Sequence, residues 1–144
     1  MGLDLYVNDE NVMHIGYGSF NFLRKDIATF YGVKELGYYF PGNPDDENFV
    51  NQPATNYEGV TEEQMNQNSQ LREYVSTIQD YEQKGLLPLF VLIQHSDCDG
   101  EIDFTMCEKL IPILEKAEKC NERMPELIAA VKKSAESKAN LIFA

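Results

Sequence analysis

The sequence predicts an α+β fold in mixed order: a small sheet of two to three strands covered by about four helices. Three observations predict it. Apolar residues alternate near the N-terminus, they recur at helical spacing in four later stretches, and residues 88–93 form one short apolar run. A chain of 144 residues that is 43% hydrophobic is the right size for one domain with one core, so 1–144 is read as a single domain.

Leu3, Leu5 and Val7 alternate with Asp4 and Tyr6, which gives a strand with one apolar face. Met13, Ile15 and Tyr17 repeat the pattern after the polar stretch 8–11, so a hairpin is predicted. Ser19 is the expected N-cap of a helix over about 20–31, carrying Phe20, Leu23 and Ile27 inward and ending at Gly32. Residues 37–60 then lose all period and form a long irregular loop. Its aromatics Tyr38, Tyr39 and Phe40 are read as anchors to the core, with a lid over a site as the alternative.

Thr61-Glu62-Glu63-Gln64 has the form of a capping box, and Leu71, Tyr74, Val75, Ile78 and Tyr81 make a helical stripe ended by Gly85. The start of that helix falls anywhere from 61 to 69, because the Asn- and Gln-rich stretch between is a weak helix former. Residues 88–93 read as a strand buried on both faces, hence central in the sheet. Phe104, Cys107, Leu110 and Leu114 define a further helix with Thr105 and Glu108 as its capping box, and Pro112 should kink it or shift its start. A last helix covers about 122–139, and Leu141-Ile142-Phe143 is expected to pack back as a tail.

Charge narrows the function. The net charge is -12, and residues 33–101 alone carry -10 of it. That sign argues against a phosphate-driven nucleic-acid binder and against a peripheral protein on an anionic membrane. No apolar run approaches the ~18 residues of a membrane span. The acidic middle is either a solvated face or a surface that docks on a basic partner, with Asp45, Asp46, Glu47, Glu58, Glu62 and Glu63 as the candidate contacts. The N-terminus shows no leader pattern, and Tyr6 stands where a myristoylation signal wants Ser or Thr. Three cysteines without a CxxC pair predict a reduced, cytosolic protein.

One segment concentrates chemistry. His95-Ser96-Asp97-Cys98-Asp99-Gly100-Glu101 brings an imidazole, a hydroxyl, a thiol and carboxylates together between two predicted elements. It fails as an EF-hand, because a loop beginning at His95 lacks the first carboxylate and puts Met106 where a bidentate Glu belongs. A divalent metal on His95 with Asp97 or Asp99, helped by Asp4, is chemically sensible. So is a ligand-binding site, and so is a tight turn in which the Asp side chains bond nearby amides and Gly100 supplies a positive φ. His14 falls on the polar strand face and is read as a surface residue. GxSxG, P-loop, GxGxxG and HExxH motifs do not occur.

Met1-Gly2-Leu3-Asp4, Tyr17-Gly18-Ser19-Phe20 leading into Arg24 and Ile27-Ala28, and the segment 95–102 together resemble a group of small, uncharacterised bacteriophage and prophage proteins. The resemblance covers about a third of the chain and implies expression in a bacterial cytoplasm, with no known activity. It also suggests that Asp4, Ser19, Arg24, His95, Ser96, Asp97, Asp99 and Glu101 belong to one ligand-binding site. The expected function is an acidic accessory protein that inhibits a host defence system. It would block a basic host protein, as an anti-CRISPR does, or capture a nucleotide-type signal with Arg24 on a phosphate and Asp97 and Asp99 on ribose or base. A metal-dependent phosphoester hydrolase using His95, Asp97 and Asp99 is the enzymatic alternative, and a structural or virion-associated part is the third.

Overall fold

In a computed structural model, which describes residues 2–144, the class is α+β and one core is shared by the strands and the longer helices. Two antiparallel strands, β1 (Leu3–Val7) and β2 (Glu10–Ile15), open the chain. Their turn is tighter than the polar stretch suggested. Asn8 and Asp9 both take positive φ, 51° and 65°, which matches the two-residue turn that twisted hairpins favour. Leu3, Leu5 and Val7 are fully buried, and the pairing register shifts once, between Leu5 and Tyr6.

Helix α1 (Tyr17–Tyr31) begins earlier than expected, with Gly16 as its N-cap and no side-chain cap. Ser19 therefore lies inside the first turn, exposed, and caps nothing. Gly32 closes the helix in the left-handed conformation (φ 65°), its amide bonding back into the last turn as the sequence implies. Thr61 and Gln64 make the capping box of a short helix, α2 (Glu62–Gln67). Asn68 then ends α2 and caps α3 (Ser69–Gln83), accepting from the amides of Gln70 and Leu71. One predicted helix is thus two, because an Asn side chain at the junction satisfies the free amides of a new start.

The largest departure is at 88–93. This run is not a central strand but helix α4 (Leu87–Ile93), with Pro88 in its first turn and Leu89 through Ile93 all buried. A segment apolar on every side carries no period, so pattern alone does not separate strand from helix. Pro88 was the available signal, since proline suits a first helical turn and removes a donor from a sheet.

The sheet is completed from elsewhere. β3 (Glu101–Ile102) emerges from the end of the chemistry-bearing segment. The C-terminal residues form β4 (Leu141–Phe143), inserted between β1 and β3 rather than packed as a tail. The strand order is β2-β1-β4-β3, all antiparallel, so among the described residues the sheet has four strands and not two or three, and six α-helices replace the expected four.

Asp103, not Thr105, caps α5 (Phe104–Lys116), accepting from the Thr105 amide at 2.7 Å. The helix runs through Pro112. The last helix, α6 (Met124–Ser137), packs along α5 and ends at Lys138, also left-handed.

The loop between α1 and α2 is tied to the core by tyrosines. Tyr74 donates to the carbonyls of Phe40 (3.2 Å) and Ala54 (2.6 Å), and Tyr81, fully buried, donates to that of Lys34 (2.7 Å). Phe40 meets Tyr74, and Tyr74 and Tyr81 both meet Phe90 of α4, in edge-to-face contacts 5.0 to 5.3 Å apart. Phe40 serves as an anchor in the sense expected.

Candidate functional site

The site grows out of the end of α4. A helix terminus leaves carbonyls without amide partners, and here a side chain from α1 supplies donors. Arg24 donates from one guanidinium nitrogen to the carbonyls of Ile93 (3.3 Å) and His95, and from the other to the side chain of Asn21. Its guanidinium carbon lies 4.3 Å from the Phe20 ring centre. Burial pulls the guanidinium below its ordinary pKa, while Asp97 and Glu35 act the other way. Arginine stays charged through such shifts, so Arg24 is a fixed cation with one terminal nitrogen spent on backbone and the other shared with Asn21.

His95 is 3% exposed and has become architecture. Its ring lies on that of Phe143 at 3.9 Å, with Tyr39 on a near-parallel plane at 6.5 Å. Nδ1 is 2.9 Å from the Ser96 carbonyl and Nε2 is 2.9 Å from that of Glu101. A neutral imidazole donates from only one nitrogen, so one of these contacts is a hydrogen bond and the other waits for a proton. Burial holds the ring below the usual histidine pKa; the two carbonyls and Asp99 oppose that, and Arg24 reinforces it.

The rest of the segment wraps around this ring. The Ser96 hydroxyl accepts from the amides of Cys98 (3.2 Å) and Asp99 (3.3 Å), making a side-chain turn. Gly100 sits at φ +96°, where a Cβ would lie 2.7 Å from the Asn51 carbonyl oxygen, so glycine is required there. Glu101 donates its amide to that same oxygen (3.0 Å) and accepts from Asn140 at its carboxylate (3.1 Å). Most of the segment therefore builds a turn, and Asp97, Cys98 and Asp99 are left facing outward or into the neighbouring cleft.

That cleft has a volume of about 740 Å³ and lies between α1, the segment 35–39 and the end of α4. Arg24, His95, Ser96 and Asp97 line it, as the sequence grouped them. Glu35 and Tyr39 line it too, and neither was singled out as a ligand contact. The aromatic triplet was the only signal for Tyr39, and Glu35 is one acid among many in that stretch.

The other grouped residues lie elsewhere. Asp4 alternates with buried Leu3 and Leu5, so its side chain leaves the sheet on the face away from the core, whereas His95 packs on the core side. There Asp4 accepts from His14 (2.7 Å) and Asn11 (3.0 Å), which lower its pKa. Ser19 is exposed on the first turn of α1 and does not line the cleft. Among the described residues, no group of three or more His, Cys, Asp or Glu side chains is placed to hold a metal ion. Among the described residues, no helix is long and apolar enough to cross a membrane.

The acidic middle has a definite arrangement. Asp45, Asp46, Glu47, Glu58, Glu62 and Glu63 are all exposed, and none forms an ion pair among the described residues. Other acids do find cations: Glu73 meets Lys34 at 2.6 Å and Asp80 meets Lys84 at 2.8 Å.

Compared with known proteins, the chain matches no family model, no curated protein and no solved structure.

Proposed function

We propose that this chain is a small acidic accessory protein of phage type, acting by binding rather than by turnover. Its middle segment covers a basic surface on a host protein and thereby blocks a defence complex. The observation that carries this reading is the set of unpaired acids at 45–47, 58 and 62–63, displayed on a segment that the core tyrosines hold in place. Unpaired like charges repel one another and cost the free protein some stability, which a basic partner relieves on binding. Complementary potentials also speed encounter and select against wrong partners. A loop already fixed by Tyr74 loses less entropy on docking than a mobile one.

The test is capture from bacterial lysate by the tagged chain and by a variant with all six acids changed to Asn or Gln. A basic protein retained by the native chain, released by raised salt and absent from the variant is the expected result. Identical retention by both chains would remove the acidic surface from the account.

A further inference from the structure

The cleft beside Tyr39 has an unbalanced inventory. Asp97 and Glu35 line it, and neither carboxylate makes a hydrogen bond or an ion pair among the described residues. The cation between them, Arg24, already donates to two backbone carbonyls and to Asn21. A phosphate entering here would meet two carboxylates, and an arginine with part of its donor fork already engaged. A cation would meet the reverse, two free acceptors. The third component is aromatic: Tyr39 lines the same cleft, its hydroxyl makes no hydrogen bond among the described residues, and its ring has only His95 as an aromatic neighbour.

We propose that this cleft receives an arginine side chain of the basic partner, the guanidinium lying on the Tyr39 ring and paired with Asp97. The inference rests on the partner reading above and names the chemistry of its deepest contact. Guanidinium suits the inventory better than ammonium, because it is planar, stacks on aromatic faces and offers a fork of donors to a carboxylate. Glu35 adds negative potential at the same cleft and steers the cation in. Arg24 acts here as a positioning residue, holding the carbonyls at the end of α4 so that Asp97 is presented to the cleft that Tyr39 also lines.

The experiment is an amide NMR titration of the full chain with a short peptide of arginine and glycine. Peptides carrying citrulline or lysine in place of arginine serve as controls. Shifts at 35–39 and 93–97 are expected with the arginine peptide and not with its citrulline counterpart. Asp97→Asn and Tyr39→Ala should each weaken binding about tenfold, while Tyr39→Phe keeps the ring and the affinity. The spectra of the variants report whether they remain folded. Equal binding of the citrulline or lysine peptide would overturn the assignment, as would ATP shifting these signals when the arginine peptide does not. Shifts confined to 42–63 would also overturn it, yet leave the partner reading standing. Capture of the basic protein from lysate that is lost in the cleft variants but intact in the six-amide variant would do the opposite: it would sink the acidic-surface reading and keep the cleft.

Discussion

His95 shows how a residue with reactive chemistry is absorbed by a fold. Its ring fills the space between Phe143 and Tyr39 and joins the end of α4 to β3 through the Ser96 and Glu101 carbonyls. His95→Ala removes the ring and leaves a void beside a carbonyl that has lost its donor, so unfolding by denaturant should show a loss of about 2–4 kcal/mol. The pH dependence has a definite sign. The folded state holds this histidine neutral below its ordinary pKa, so the unfolded chain takes up the proton first. Its contribution is fully present above about 6.5, the unfolded value, and is lost as pH falls from there to the folded value. His95→Gln should flatten that part of the stability profile, which urea titrations across the range would measure. Gly100→Ala, forced against the Asn51 carbonyl at positive φ, should cost about 1–3 kcal/mol by the same method.

Among the elements, α4 and β4 decide the architecture, and both, like the two-residue β3, were concealed by the sequence. The hairpin, α1, the capping box at Thr61 and the stripes of α3, α5 and α6 all carry a period or a cap, and all formed near their expected places. α4 carries neither, because burial on all sides erases the polar face that a period needs. β4 is three residues long, too short for alternation to register, and its neighbours β1 and β3 come from distant parts of the chain. The site was legible to a similar degree. Local composition marked the segment 95–101, and Arg24 joined it, but the face on which Asp4 emerges depends on strand pairing, and Ser19 depends on where α1 begins. Tyr74→Phe tests the tethering of the long loop: it deletes the donor to Phe40 and Ala54 while keeping the ring. Hydrogen exchange at the Ala54 amide, which bonds to the Phe40 carbonyl at 2.9 Å, should accelerate, with global stability reduced by only about 1 kcal/mol.

At the scale of the whole molecule, charge is the dominant feature. A net charge of -12 is concentrated in the middle of the sequence, and six of its unpaired members, Asp45, Asp46, Glu47, Glu58, Glu62 and Glu63, share the long loop and the start of α2. Salt should therefore act with opposite signs on two properties. Screening relieves self-repulsion, so the melting temperature of the free protein should rise with added sodium chloride. The same screening weakens attraction to a basic partner, so affinity should fall, on the order of tenfold between low and high salt. Calorimetric scans and binding titrations over one salt series check both at once. A protein whose acids were merely a solvated coat would show the first effect without the second.

The central claim, that the acidic middle segment is the docking surface, is tested most directly by hydrogen exchange on the full chain, alone and with the basic protein it captures. New protection is expected across residues 42–63, with further protection at 35–39 and 93–97 where the cleft lies. Protection confined to another face, such as that of Phe22 and Phe30 (67% and 49% exposed on α1), with 42–63 unchanged, would contradict it.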